Sequence, residues 1–272
     1  VFSALGKVWS MSRGGSPKRL TTSTTREYEP TISPDGQWVA WVTWNDTAGG
    51  QLWKAHLDGS AAVKLSEAPA YYSLPEWSPD GSKLAFISGA ASGWIEEDSS
   101  TEYELRTVSS TGGASTYVTH LRSPNSHVTW SGDGKRFFYD ENEPAPANEN
   151  RSPGTNLVSI RVDGVEKKTH IKIAESVDIV PSPDLKWMLI RRFSNAWLVA
   201  LPLGTIDAVS INLDNPQVPA KPITVGGANY LRWRPDSSGF SYSFINKLYS
   251  LNRDDVLKST KVACLIFPMR AS

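Results

Sequence analysis

One four-residue phrase, built around an aspartate and set between two apolar runs, constrains the fold of this chain more than any other feature. It occurs five times, and the copies begin at residues 33, 78, 131, 182 and 234. A repeat of about fifty residues with short strands and turn residues is typical of a β-propeller. The copies are Ser33-Pro34-Asp35-Gly36, Ser78-Pro79-Asp80-Gly81, Ser131-Gly132-Asp133-Gly134, Ser182-Pro183-Asp184-Leu185 and Arg234-Pro235-Asp236-Ser237.

The chemistry of the phrase predicts a tight turn between two strands. Proline presets φ at the second position, the aspartate accepts hydrogen bonds from nearby backbone N–H groups, and glycine supplies a positive φ. We therefore assign a structural role in the turns to Asp35, Asp80, Asp133, Asp184 and Asp236. A third strand such as 51–57 follows, with a turn such as Asp58-Gly59 before a fourth, so each unit is predicted to be a four-stranded blade.

The repeat predicts an all-β propeller of about five or six four-stranded blades. Five units are complete or nearly so, and residues 1–21 supply the second, third and fourth strands of another. We assign residues 1–257 to the propeller and residues 258–272 to a C-terminal tail of uncertain role. Because the chain opens and ends in mid-blade, two interpretations stay open: the ends complete each other's blade, or the chain is a piece of a longer polypeptide.

Composition excludes several classes of partner and site. Acidic and basic residues balance at 28 each, so no basic stripe favours nucleic acid. The single cysteine, Cys264, excludes an internal disulfide framework, and its apolar surroundings favour a packed thiol. No apolar run approaches the roughly twenty residues that a membrane span needs.

Aromatic and acidic residues each allow two interpretations. Eleven tryptophans lie mostly in the strands, where we expect them to pack between blades, while Trp44 and Trp94 fall in predicted loops and suit a sugar-stacking platform. Two acidic insertions, residues 88–101 and 140–154, are expected to be solvated surface; the alternative is a cation site or a contact at the rim.

The turns and the strands that follow them resemble the TolB-type propeller repeat over almost the whole chain, up to about Asp255. In addition, Phe2–Trp9, Glu27–Pro30 and Tyr71–Trp77 look like the propeller half of bacterial proteins that fuse a TolB-like region to an amidohydrolase. The resemblance implies a hydrolase domain as a partner and a periplasmic or secreted location. The paired His-x-His of amidohydrolases is missing, because the four histidines stand apart in the sequence.

The innermost strand of each repeat supplies the candidate site residues. Strand alternation predicts that the positions four and two residues before each turn share one face, which would line the central channel. A histidine with carboxylates could hold a divalent cation (Ca²⁺, Mn²⁺ or Zn²⁺) or act as an acid–base pair, and we assign a metal to His127, Glu29 and Asp178. The alternative is a water-filled channel with ordinary ion pairs. The five channel candidates are Glu29, Glu76, His127, Asp178 and Arg232.

Function is less constrained by the sequence than the fold is. No Gly-x-Ser-x-Gly elbow, His-Glu-x-x-His motif or phosphate loop occurs. Our leading hypothesis is a non-catalytic propeller that binds a protein, peptide or glycan through one face, as part of a larger hydrolase system. The alternatives are a hydrolase or lyase with a divalent cation in the channel, and a truncated propeller fragment of an amidohydrolase fusion.

Overall fold

The protein, seen in a computed structural model, consists of small antiparallel sheets in two compact units, Val1–Asn125 and Ser126–Ser272. The structure describes residues 1–12, 14–90, 102–143, 154–245 and 247–259. Each unit contains three sheets. The predicted all-β propeller is confirmed with six blades, which have three to five strands rather than a uniform four.

The first unit holds sheets 1 to 3, each made of strands that follow one another along the chain. Sheet 1 has three strands: β1 (Phe2–Ala4), β2 (Lys7–Ser10) and β3 (Lys18–Arg19). Sheet 2 has four: β4 (Arg26–Ile32), β5 (Trp38–Trp44), β6 (Gln51–His56) and β7 (Val63–Lys64). Sheet 3 has four: β8 (Tyr71–Trp77), β9 (Lys83–Gly89), β10 (Tyr103–Ser109) and β11 (Thr116–Leu121).

The second unit holds sheets 4 to 6 and ends its described part in a short helix, α1 (Arg253–Lys258). Sheet 4 contains β12 (Val128–Trp130), β13 (Arg136–Asn142), β14 (Thr155–Arg161), β15 (Lys168–Ile173) and β19 (Val209–Ile211). Sheet 5 contains β16 (Ser176–Pro181), β17 (Trp187–Arg192), β18 (Asn195–Ala200) and β20 (Ala220–Pro222). Sheet 6 contains β21 (Asn229–Trp233), β22 (Gly239–Phe244) and β23 (Lys247–Asn252).

The repeated phrase forms the predicted turn, and the hydroxyl of its first residue, a serine in four of the copies, links the aspartate to the backbone. In sheet 2, Asp35 Oδ1 accepts hydrogen bonds from Ser33 Oγ at 2.5 Å and from the backbone N–H of Gln37 at 3.0 Å. Ser33 Oγ in turn accepts from the backbone N–H of Trp38 at 2.9 Å. The serine and aspartate therefore satisfy backbone donors that a tight turn would otherwise leave without a partner. Sheets 3, 4 and 5 repeat the Ser–Asp contact at 2.6 Å.

The described tryptophans are buried or partly buried, as expected for packing residues, and the assignment of Trp44 to a sugar platform is wrong. Trp41, Trp77 and Trp130 are buried. Trp44, considered as a sugar platform, is buried as well, and its Nε1 donates to Asp46 Oδ1 at 2.8 Å. It lies at the end of β5 rather than in a loop, so its ring presents no free face to a sugar. Trp94 lies outside the described residues, as do residues 91–101, 144–153 and Cys264.

The long connection over residues 204–222 contributes strands to two sheets. β19 runs parallel to β15 and pairs Ile171 with Val209 at the edge of sheet 4. The chain then returns, and β20 pairs with β18 as the outer strand of sheet 5. Sheet 4 is thereby closed at an edge that would otherwise expose unpaired backbone groups. Residues 260–272 lie outside the described part, so the role of the tail stays a prediction.

Candidate functional site

The innermost strands carry a backbone irregularity where the channel residues were predicted. Glu29, Leu74 and Tyr230 occupy the same repeat position, four residues before the turn, and all have positive φ, at 52°, 48° and 53°. The pairing register shifts beside each of them. At each shift the inner strand has one more residue than its partner strand, which is a β-bulge. The strict alternation that we assumed is therefore interrupted at this position.

A histidine and two aspartates meet in the second unit, near the first residues of the inner strands β12 and β16. His127 precedes β12, and Asp140 lies opposite it on β13, because Val128 pairs with Tyr139. The backbone N–H of His127 donates to Asp140 Oδ1 at 2.5 Å, and His127 Nδ1 lies 3.5 Å from Asp140 Oδ2. Asp178 comes from β16, and one ligand atom from each of the three residues lies within 4.8 Å of the others. We call these three residues the His–Asp cluster.

An ion pair fixes the third member of the cluster. Asp178 pairs across the sheet with Arg191 of β17, whose Nε donates to Asp178 Oδ2 at 2.5 Å. The side chains of His127, Asp140 and Asp178 retain 19%, 6% and 16% of their exposure, so the cluster is nearly enclosed but reachable from solvent. At this depth the charges interact more strongly than they would in bulk water.

The charges around His127 control its protonation. Burial alone lowers the pKa of His127, but the contact with Asp140 and the charges of Asp140 and Asp178 outweigh it and raise the pKa above the ordinary value. The charge of Arg232 opposes this effect, which places Arg232 close enough to influence the imidazole. The site is therefore electrostatically tuned by four charged neighbours, two acidic and two basic, counting Arg191 through its pair with Asp178.

Two of the five predicted channel residues, His127 and Asp178, come together in the second unit, and the charge of Arg232 in the same unit acts on His127. Sequence analysis placed Asp140 in an acidic insertion and left it out of the channel set. Glu29 and Glu76 belong to the first unit, where Glu29 Oε2 accepts a hydrogen bond from the backbone N–H of Leu74 at 2.5 Å. The metal assignment to Glu29 and the convergence of all five residues on one channel stay predictions.

Apolar side chains stand exposed at the same end of sheets 5 and 6. Phe193 lies in the β17–β18 turn, Val225 in the segment before β21, Tyr230 in the bulge and Ile245 beside the end of β22, with exposures of 61%, 74%, 81% and 84%. We call these four residues the apolar rim.

Hydrogen bonds hold the segments of the apolar rim together. Gly226 N–H donates to Asn195 Oδ1 at 3.0 Å, and Ala228 N–H donates to the carbonyl of Ser194 at 2.8 Å. Gly227 packs so closely on the ring of Phe244 that a Cβ there would lie 2.6 Å from it. The rim is therefore a built surface and not a set of loose side chains. In the part of the chain that the structure covers, no helix is long and apolar enough to cross a membrane.

Comparison with known sequences identifies partial relatives. No family model matches the sequence. An uncharacterized protein of Agrobacterium fabrum is 28% identical over 132 residues, which are 46% of this chain and 43% of that protein. The uncharacterized peptidase YuxL of Bacillus subtilis is 32% identical over 98 residues, or 36% of this chain and 15% of the peptidase. The match thus spans less than half the length of each of these curated relatives.

Comparison with solved structures supports the fold directly. A protein described as TolB from Agrobacterium tumefaciens superposes with a TM-score of 0.58 at 16% identity, over 88% of this chain and 81% of that one. A gluconolactonase from Xanthomonas campestris gives 0.58 at 13% identity, over 90% and 78%. An oligogalacturonate lyase from Vibrio parahaemolyticus gives 0.53 at 10% identity, over 84% and 65%. At these identities the likeness shows the TolB-like β-propeller fold alone, and the amidohydrolase fusion stays a prediction.

Proposed function

We propose that this TolB-like β-propeller is a binding protein that holds an extended, apolar segment of a partner polypeptide on the apolar rim of its second unit. The observation that carries the proposal is the exposure of four large side chains on neighbouring, hydrogen-bonded segments. Single exposed apolar residues are ordinary, but a group of them on adjoining segments is typical of an interaction surface.

The chemistry of the rim favours a polypeptide over a glycan. Sugar platforms need the open face of an aromatic ring and polar groups for the hydroxyls. None of the tryptophans among the described residues is exposed, and two of the four rim residues, Val225 and Ile245, are aliphatic. Aliphatic and aromatic side chains together are suited to alternate apolar residues of an extended peptide.

A peptide library displayed on phage, panned against the immobilised chain, tests this proposal. We expect apolar consensus peptides to be enriched and to bind the purified chain. The triple variant Phe193→Ser, Tyr230→Ser and Ile245→Ser should lose more than about tenfold in affinity, because central apolar anchors each contribute about 2 kcal/mol or more.

Ile206→Ser is the matched control, since Ile206 is 92% exposed in the same unit but lies outside the rim. It should bind the selected peptides as the unchanged chain does. Failure to enrich any peptide, or equal binding by the triple variant, would contradict the proposal.

A hydrolase or lyase is the second candidate, favoured by the 3.5 Å approach of His127 Nδ1 to Asp140 Oδ2. A partly buried histidine beside carboxylates is a common acid–base arrangement. The structural likeness to a gluconolactonase and an oligogalacturonate lyase suggests lactones and oligogalacturonates as the substrates to test. Turnover that disappears in His127→Gln would support this candidate, and absence of turnover with Mn²⁺ or Zn²⁺ present would remove it.

The proposal also includes a partner domain and a cellular location. The sequence resemblance to TolB-like/amidohydrolase fusions supports a hydrolase partner and a periplasmic or secreted location. Fractionation of the source cells, with immunodetection of the chain, tests the location: recovery in the periplasmic or extracellular fraction is expected, and recovery with the cytoplasm would contradict it.

A further inference from the structure

We infer that the His–Asp cluster is a divalent-cation site, with His127 Nδ1, Asp140 Oδ2 and Asp178 as ligands and Mn²⁺ or Zn²⁺ as the ion. The inference goes beyond partner binding and does not depend on it, because none of the three ligands belongs to the apolar rim. Its components are a buried ring nitrogen, the spacing of the ligand atoms and the chemistry of the donor set.

The ring nitrogen of His127 is the first argument. Nδ1 is buried and makes no hydrogen bond, although buried polar atoms in folded proteins nearly always make one. Its nearest acidic partner, Asp140 Oδ2, is 3.5 Å away, which is beyond the usual range of hydrogen bonds. A metal ion between the two atoms would satisfy both without moving either residue far.

The spacing of the donors is the second argument. Two ligands about 2.1 Å from a tetrahedral ion lie about 3.4 Å apart, which matches the 3.5 Å between Nδ1 and Oδ2. The third donor, an oxygen of Asp178, lies within 4.8 Å of the other two, which is close enough for all three to bind one ion.

The supports of the two carboxylates are the third argument. The backbone N–H of His127 holds Oδ1 of Asp140, which leaves Oδ2 aimed at the imidazole. Arg191 Nε donates to Oδ2 of Asp178 and so fixes the orientation of this carboxylate. Groups that orient ligands in this way are typical of metal sites, where they fix the geometry before the ion arrives.

The donor set selects the ion. Carboxylates alone suit Ca²⁺ and Mg²⁺, whereas an imidazole nitrogen favours transition metals. One imidazole with two carboxylates therefore favours Mn²⁺ or Zn²⁺ over Ca²⁺. Three protein ligands leave coordination positions for water, and the partial exposure of Asp178 lets an ion enter.

Calorimetric titration of the metal-stripped chain with Zn²⁺, Mn²⁺ and Ca²⁺ tests the site. We expect one equivalent of Zn²⁺ or Mn²⁺ to bind, with weaker or no binding of Ca²⁺. His127→Gln and Asp178→Asn should each lose more than about tenfold in affinity, since even changes behind the ligands cost about 10–100-fold. Crystals soaked in Mn²⁺ should show an anomalous peak between the three residues.

Two controls separate loss of the site from loss of the fold. His170→Gln removes a histidine of the same unit outside the cluster and should leave the stoichiometry and affinity unchanged. Near-ultraviolet circular dichroism of each variant reports its tertiary packing, and Asp178→Asn gives a second test if His127→Gln does not fold. The inference would be overturned if the unchanged chain did not bind one equivalent of metal, or if both folded cluster variants bound metal as tightly as the unchanged chain. The cluster would then be an ion-pair network.

Discussion

At the scale of single residues, the turns keep one backbone conformation while their sequence varies. Gly36, Gly81 and Gly134 have φ between 68° and 72°. Leu185 and Ser237 occupy the same position at 54° and 57°, although left-handed backbone is unfavourable for residues with a side chain. Leu185 packs against a core cluster of the second unit, and Ser237 Oγ accepts from the backbone N–H of Asp184 at 3.0 Å. Side-chain contacts therefore offset the backbone strain in these two turns.

The first prediction isolates the cost of that conformation. Gly36→Ala should lower the free energy of unfolding by about 1–2 kcal/mol, because φ is 72° and a new Cβ meets nothing within 4 Å. Gly132→Ala is the control: its Cβ also has open space, and its φ lies outside the left-handed region. Urea denaturation of both variants checks the prediction. A neutral Gly36→Ala, or an equal loss in both variants, would contradict it.

At the scale of the strand, burial replaces the alternation that a half-exposed sheet shows. Every residue of β5 after Trp38 is buried, from Val39 to Trp44, because sheets in this fold pack on both faces. The core between sheets 2 and 3 includes Val42, Leu52 and Phe86. An apolar run in these repeats thus indicates a strand that is buried on both faces rather than one with a solvent-exposed face.

The second prediction concerns the pair of strands β14 and β15. His170 Nε2 contacts Ser159 Oγ at 2.7 Å, and burial, followed by the charges of Lys168 and Arg136, lowers the pKa of His170 to about 4. Between pH 6.5 and 4 the unfolded chain therefore takes up a proton that the folded chain does not. Because His170 is only half-buried, solvent screening reduces the effect, and stability should fall by about 1–2 kcal/mol as the pH drops through this window.

Chemical denaturation across this pH range, with His170→Gln and the exposed His120→Gln, measures the effect. As the pH falls from 6.5 to 4, the unfolding free energy of the unchanged chain should decrease more than that of His170→Gln. His120→Gln should keep the pH dependence of the unchanged chain. Parallel curves for the unchanged chain and His170→Gln would refute the assigned pKa.

The sequence predicted the turns and the hairpins of the blades because their signals are local. The bulge escaped prediction because Glu29, Leu74 and Tyr230 share no residue type, and the sheet rather than the side chain imposes their positive φ. Asp140 escaped as a partner of His127 because the candidates were taken from the innermost strands alone, whereas Asp140 lies on β13, the second strand of the hairpin. Local chemistry thus predicted the blades, whereas the packing of β16 against β12 and β13, which the sequence does not show, brings Asp178 to the candidate site.

At the scale of the whole molecule, two candidate surfaces share the second unit without sharing residues. The apolar rim is exposed and carried by sheets 5 and 6, whereas the His–Asp cluster is enclosed and carried by sheets 4 and 5. Fold does not determine which of them is used, since one propeller architecture serves many functions.

The third prediction is that the two surfaces can be inactivated separately. The triple rim variant should bind Zn²⁺ as the unchanged chain does, and His127→Gln should bind the selected peptides with unchanged affinity, because sites without shared contacts behave additively. Calorimetry with both ligands on both variants provides the measurement. Loss of both activities in either variant would show that the rim and the cluster form one site.

The parallel strand β19 has a consequence for how the second unit opens. One connection supplies the outer strands of two sheets. Its first strand, β19, pairs with β15 at the edge of sheet 4, and its second strand, β20, pairs with β18 at the edge of sheet 5. If β19 separates from β15, or β20 separates from β18, the connection between them loses one of its two anchors, and the other strand is held less firmly. The amide hydrogens of β15, β19 and β20 should therefore exchange with solvent as one cooperative unit, although the three strands lie in two different sheets.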